Sequence, residues 1–180
     1  QKVWQNRVRF GATYFHNEFR DFIQFVFNPV PFTFLPFNVG GARSQGIETY
    51  AEIEPLDWLL LYANYTLTDT RNTTTGRDLR RFARHRWNTG VTLTPMDRLS
   101  LFAQAHVVSS QEESATAGRN PGYHRIAVGG TYRLFGRLGA MERLEFTARV
   151  ENLTDEVYDE VMGFRALGWN ALVGLRAYFR

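Results

Sequence analysis

The chain has 180 residues, 44% of them hydrophobic and 15% aromatic, with 21 basic against 18 acidic side chains and a net charge of +3. That length carries one sizeable β domain or part of a larger one, the apolar content excludes disorder, and a small cationic excess interleaved with carboxylates gives no support for nucleic-acid binding. There is no cysteine, which excludes a disulfide framework and a thiolate metal site.

Period-two alternation dominates and predicts nine strands, at 7–16, 21–27, 38–54, 58–69, 82–94, 99–109, 123–133, 143–152 and 165–179. The longest apolar run, Trp58 to Ala63, is far short of the roughly 20 residues of a membrane-spanning helix, so a bilayer would be crossed by strands. Tight connections at 17–20, 55–57, 95–98 and the moderate 134–142 alternate with longer ones at 28–37, 70–81, 110–122 and 153–164. Short turns on one side and long loops on the other are the layout of an outer-membrane barrel.

The stretch NVGGARSQGIETYAEIE (38–54) supports the same conclusion. Ile47, Thr49, Ala51 and Ile53 make one apolar face, while Glu48, Tyr50, Glu52 and Glu54 make a polar one. In a transmembrane barrel the apolar face meets lipid and the polar face meets the lumen. LEFTARVE divides Leu144, Phe146, Ala148 and Val150 from Glu145, Thr147, Arg149 and Glu151 in the same way. Trp58, Trp87, Tyr132, Trp169 and Phe179 fall at strand ends, where interfacial aromatic girdles belong. Counting nine strands back from a periplasmic C-terminus puts Gln1 on the outer side. Together with the absence of an initiator Met or signal peptide, that predicts a piece of a longer protein.

NVGGARSQGIE followed by PLDWLLLYANYTLTDT resembles the mid-barrel motif of TonB-dependent outer-membrane receptors, and ARVENLTDEVYDEVMGF with the closing GLRAYF is similar to their last two strands. LRRFARHRWNTGVTL (79–93) and the segment 158–163 lean toward the cobalamin branch of that family. The resemblance implies an all-β antiparallel transmembrane barrel of about 22 strands, plugged by an N-terminal domain. Residues 1–180 would then supply about nine C-terminal strands, with the plug and earlier strands absent. It further implies import of a ferric siderophore or cobalamin, energised by TonB through the missing N-terminal part, and recognition by the barrel-assembly machinery of the strand ending at Phe179. The family usually ends on that aromatic residue, and here Arg180 follows it.

Candidate substrate contacts lie in the long loops. Phe32, Phe34 and Phe37, set among prolines, would present rigid apolar surface to a chelate, or pack on a neighbouring loop. Arg71, Arg77, Arg80 and Arg81 would attract an anionic ligand, or pair with lipopolysaccharide phosphates. His16, His85, His106 and His124 show no metal-ligand spacing, and no catalytic constellation, cofactor motif or nucleotide-binding loop is present. Inward carboxylates are expected to pair with Arg149 and Arg176, and Gly129 and Gly130 to allow a bend or the close approach of plug backbone. The competing readings are a small outer-membrane pore or adhesin and a soluble, lipocalin-like barrel that binds a small ligand.

Overall fold

A computed structural model describes residues 2–3, 7–28, 33–38, 40–114 and 118–180. Its wall is one nine-stranded antiparallel sheet. In spatial order this comprises β1 (Lys2–Val3), β2 (Val8–Phe19), β5 (Ala42–Leu56), β6 (Leu59–Asn72), β7 (His85–Met96), β8 (Leu99–Val108), β11 (Tyr123–Phe135), β12 (Met141–Glu151) and β15 (Asn170–Phe179). Three two-stranded hairpins stand on the long connections: β3 (Ile23–Asn28) with β4 (Thr33–Asn38), β9 (Gln111–Ser114) with β10 (Gly118–Asn120), and β13 (Asp159–Val161) with β14 (Phe164–Arg165).

The strand registers align the alternating faces across the whole wall. Val8, Ile53, Leu61, Val91, Ala103, Val128, Val150 and Ala171 are successive cross-strand partners, so a single row of apolar side chains crosses all the long strands. A one-residue slip in any strand would put a polar side chain into that row. The wall buries little of its apolar surface: among the described residues the buried hydrophobic side chains are Ala42, Leu79, Ala83, Val108, Ala127 and Tyr158, whereas Val173 is 76% exposed and Leu175 67%. The apolar face therefore needs a lipid partner to be stable.

Two of the short turns share a local sequence, Pro55-Leu-Asp-Trp-Leu59 and Pro95-Met-Asp-Arg-Leu99. Leu56 pairs with Leu59 and Met96 with Leu99, and each register shifts across the proline just before the turn. Proline has no N–H for the ladder, so a bulge at the strand end accommodates it. Trp58, Tyr132 and Phe179 gather at this rim. At the long-loop rim stand Tyr14, Trp169 and the Tyr65–Trp87 pair, with ring centroids 4.1 Å apart. The aromatics at strand ends thus form two belts.

The beginning of the chain departs from the sequence expectation. Residues 17–20 are not a tight turn. β2 continues to Phe19 and pairs with β5 from Val8↔Ile53 to Phe19↔Ala42. The predicted strand 21–27 is not in the wall; it is β3 and pairs with β4. Its six residues are too few to cross the hydrocarbon. Asn17 and Glu18 looked like turn residues because they are polar. They lie where the strand has risen above the apolar band and both faces are wet. The count of nine holds through β1, and the short and long connections still alternate, with 20–41 as one long connection.

Candidate functional site

The long connections meet over the wall, and their firmest corner is Asn152. Asn152 and Asp155 have φ of 48° and 51°, left-handed values that short polar side chains tolerate. The Asn152 side chain, in a residue only 1% exposed, donates to the carbonyls of Glu156 at 2.9 Å and Leu167 at 3.2 Å and accepts from the Glu156 N–H at 2.9 Å. The Trp169 N–H donates to Asp155 Oδ1 at 2.7 Å. These bonds fix both ends of the 152–169 connection, from which β13 and β14 project. Asp159 holds that hairpin by accepting from Arg165 Nε at 3.0 Å and the Gly163 N–H at 2.9 Å.

The neighbouring connections dock onto this corner in turn. Asn120 Nδ2 donates to the Asp159 carbonyl at 2.9 Å and Gln111 Nε2 to the Glu160 carbonyl at 3.0 Å. On the other side of the β9–β10 hairpin, Arg81 donates through its backbone N–H to the Glu112 carbonyl and through Nε to Glu113 Oε1, both at 2.7 Å. Arg81 has φ of 64°, so this pair is made from an unusual backbone conformation.

Between these loops opens a recess of about 800 Å³, lined by Arg81, Arg125, Tyr158, Glu160, Phe164 and Arg165, with Glu151 and Asn152 at its base. Its cations are not equivalent. Arg81 is held by Glu113 and Arg165 by Asp159, but Arg125, half-buried on the polar face of β11, makes no ion pair or side-chain hydrogen bond among the described residues. Beside it Tyr123 stacks on the buried Tyr158, with centroids 4.2 Å apart and rings 14° from parallel. Phe164, 75% exposed, adds an apolar lip. A free guanidinium with aromatic and apolar neighbours is suited to a planar, anionic ligand.

Of the sequence-predicted contacts, only Arg81 lines the recess. Arg77 and Arg80 lie in the same connection outside it, and Arg71 stands on β6 on the apolar-face side. Phe37 is in β4 and 52% exposed; Phe32 and the side chain of Phe34 lie outside the described residues. Arg125, Tyr158, Phe164 and Arg165 were missed. The available signal was Arg125 sharing the polar face with Tyr123 and Ala127 at the long-loop end of a strand. Among the described residues no three His, Asp or Glu side chains are grouped to hold a metal. His85 bonds to Tyr65 Oη at 2.8 Å and His106 to Asn88 Oδ1 at 2.5 Å, while His16 meets both Gln45 and Glu18.

Residues 2–153 match the family described as TonB dependent receptor-like, beta-barrel. The chain belongs to this family of outer-membrane receptors. No curated protein sequence matches it. Among solved structures it is similar to the ferric enterobactin receptor PfeA of Pseudomonas aeruginosa (TM-score 0.76, 20% identity, 97% of this chain and 29% of that one). It is also similar to the copper transporter OprC (0.79, 16%, 97% and 29%) and to the ferric-catecholate import receptor Fiu of E. coli K12 (0.71, 18%, 98% and 26%). The chain thus spans less than a third of the length of each of these three proteins.

In a TonB-dependent barrel the apolar face meets the bilayer, the polar face the lumen, and the long connections lie outside. The luminal face carries the expected pairing in part. Arg149 pairs with Glu151 and Arg9 with Glu52, while Glu145, buried, takes Arg143 at 3.0 Å with Arg176 directly opposite. Glu48 makes no ion pair among the described residues. The space beside Gly129 is filled by Phe102, its cross-strand partner.

Proposed function

We propose that this chain is the C-terminal part of the barrel of a TonB-dependent importer, and that its outer mouth receives an anionic metal chelate. The single observation that carries the reading is Arg125, a half-buried luminal cation with no carboxylate partner, beside the Tyr123–Tyr158 stack in an open recess. Its guanidinium is therefore open to a ligand that supplies the negative charge. Relatives named for ferric enterobactin, ferric catecholate and copper support a metal-bearing cargo, and an anionic, aromatic ferric siderophore fits the arginines and aromatic rings of the recess. Cobalamin finds no support in these names and remains only an expectation from the 79–93 segment.

The remaining barrel, a plug domain and coupling to TonB complete the proposed machine, and the strand ending at Phe179 is the proposed signal to the assembly machinery. The test is uptake by cells that lack their own chelate receptors and express the whole receptor, with and without TonB. Accumulation of labelled iron from a ferric catecholate only when TonB is present is the expected result. Equal accumulation without TonB, or accumulation of cobalamin alone, would contradict the proposal.

A further inference from the structure

On the lipid-facing side of the wall, just above the apolar band, Arg43 of β5 and Arg71 of β6 are direct cross-strand partners. Like charges in that relation repel and destabilise a sheet unless something lies between them. The carboxylates of this face are turned elsewhere. Glu18, the β2 partner of Arg43, has Oε1 3.3 Å from His16 Nε2, and Asp69 accepts from Gln45 Nε2 at 3.4 Å and stands 3.9 Å from Arg84. Arg71 uses only its Nε, donating to the Gly76 carbonyl at 3.3 Å, so its terminal nitrogens are uncommitted. Arg43 makes no ion pair or side-chain hydrogen bond among the described residues.

Height decides what can reach these two guanidinium groups. The last apolar outward pair is Ile47 with Leu67; Gln45 with Asp69 is the first polar pair above it, and Arg43 with Arg71 the second. Four residues of a strand tilted by about 40° rise on the order of 10 Å, which sets the arginines at headgroup level, above the hydrocarbon edge. We infer that Arg43 and Arg71 form a clamp for a phosphate of an outer-leaflet glycolipid, one guanidinium on each side of the anion. Arginine forks suit phosphate oxygens, and a bridging dianion converts the repulsion between them into two charge-assisted contacts. The site faces away from the lumen and is separate from the recess at Arg125.

The test uses the full-length receptor in nanodiscs whose lipid is either phosphorylated or enzymatically dephosphorylated lipopolysaccharide, with retained glycolipid per receptor measured after detergent washing. The wild type should retain phosphorylated glycolipid, and an Arg43→Gln/Arg71→Gln double variant should retain on the order of 30-fold less. The two should not differ on the dephosphorylated lipid. Arg43→Lys/Arg71→Lys keeps the charge without the fork and should fall between. Heat-modifiable migration of each variant reports whether its barrel has formed. Equal retention by the wild type and a folded double glutamine variant would overturn the assignment. Displacement of the glycolipid by millimolar inorganic phosphate alone would also overturn it, marking a free-anion site.

Discussion

Tyr62 lies across Gly90, its direct cross-strand partner on the luminal face, so closely that a methyl group on Gly90 would stand 2.6 Å from the ring. The arrangement recurs along the wall. Gly11 lies under Tyr50, Gly46 under Phe15 and Gly129 under Phe102, each glycine again the partner of its ring. An aromatic side chain laid over glycine covers an exposed backbone and keeps the luminal surface flat.

The glycines should not be equally replaceable. At Gly90 the added methyl meets the far end of a ring that can turn away, losing the 3.4 Å bond from Tyr62 Oη to Gln104. At Gly46 it would meet the Leu67 backbone carbonyl at 1.9 Å, and backbone must shift. Gly46→Ala should cost about 2–3 kcal/mol and Gly90→Ala about 1 or less, read as thermal unfolding of the full receptor in detergent. Equal costs would contradict the distinction.

The face assignment is open to a charge test. Ala103 lies in the apolar row and Gln104 next to it on the luminal face. Ala103→Arg should lower stability by about 2–4 kcal/mol, with Gln104→Arg within about 0.5 kcal/mol of wild type. Barrel refolding into lipid vesicles, monitored by heat-modifiable migration, measures both.

The Arg81–Glu113 pair should hold the 73–84 connection to the β9–β10 hairpin. The Glu113 side chain is 7% exposed and that of Arg81 54%, so solvent screens one partner only. Arg81→Gln should cost about 1–2 kcal/mol locally, because it strands a buried carboxylate, and Arg81→Gln/Glu113→Gln should recover most of it. Limited proteolysis within 73–84 should be faster in the single variant and near wild type in the double.

Asn152 should be replaceable by neither alanine nor glycine. Glycine relieves the positive φ but loses the three side-chain bonds, each worth about 1 kcal/mol, while alanine loses both. Hydrogen exchange across 152–169 should rise for both variants, more for Asn152→Ala.

The strongly amphipathic strands were legible in the sequence because one face had to be apolar. β12 and β15 agree with LEFTARVE and WNALVGLRAYF to within a few residues. Legibility failed above the bilayer. There lipid no longer constrains a face, so the upper part of β2 looked like a turn and the β3 segment like a wall strand. The glycine–aromatic pairs were invisible because they depend on register between strands remote in sequence. The recess was hidden for the same reason: Arg81, Arg125 and Arg165 lie on three different connections or strands, and only the docking of two hairpins brings them together.

Chelate binding at Arg125 tests the account most directly: equilibrium binding of ferric catecholates, ferric hydroxamates and cobalamin to the purified full-length receptor, for the wild type and Arg125→Gln. The account predicts that an anionic ferric chelate binds and that Arg125→Gln weakens it by about tenfold while the barrel remains heat-modifiable. Undiminished binding by a folded Arg125→Gln receptor, or tight binding of cobalamin with no ferric chelate bound, would contradict it.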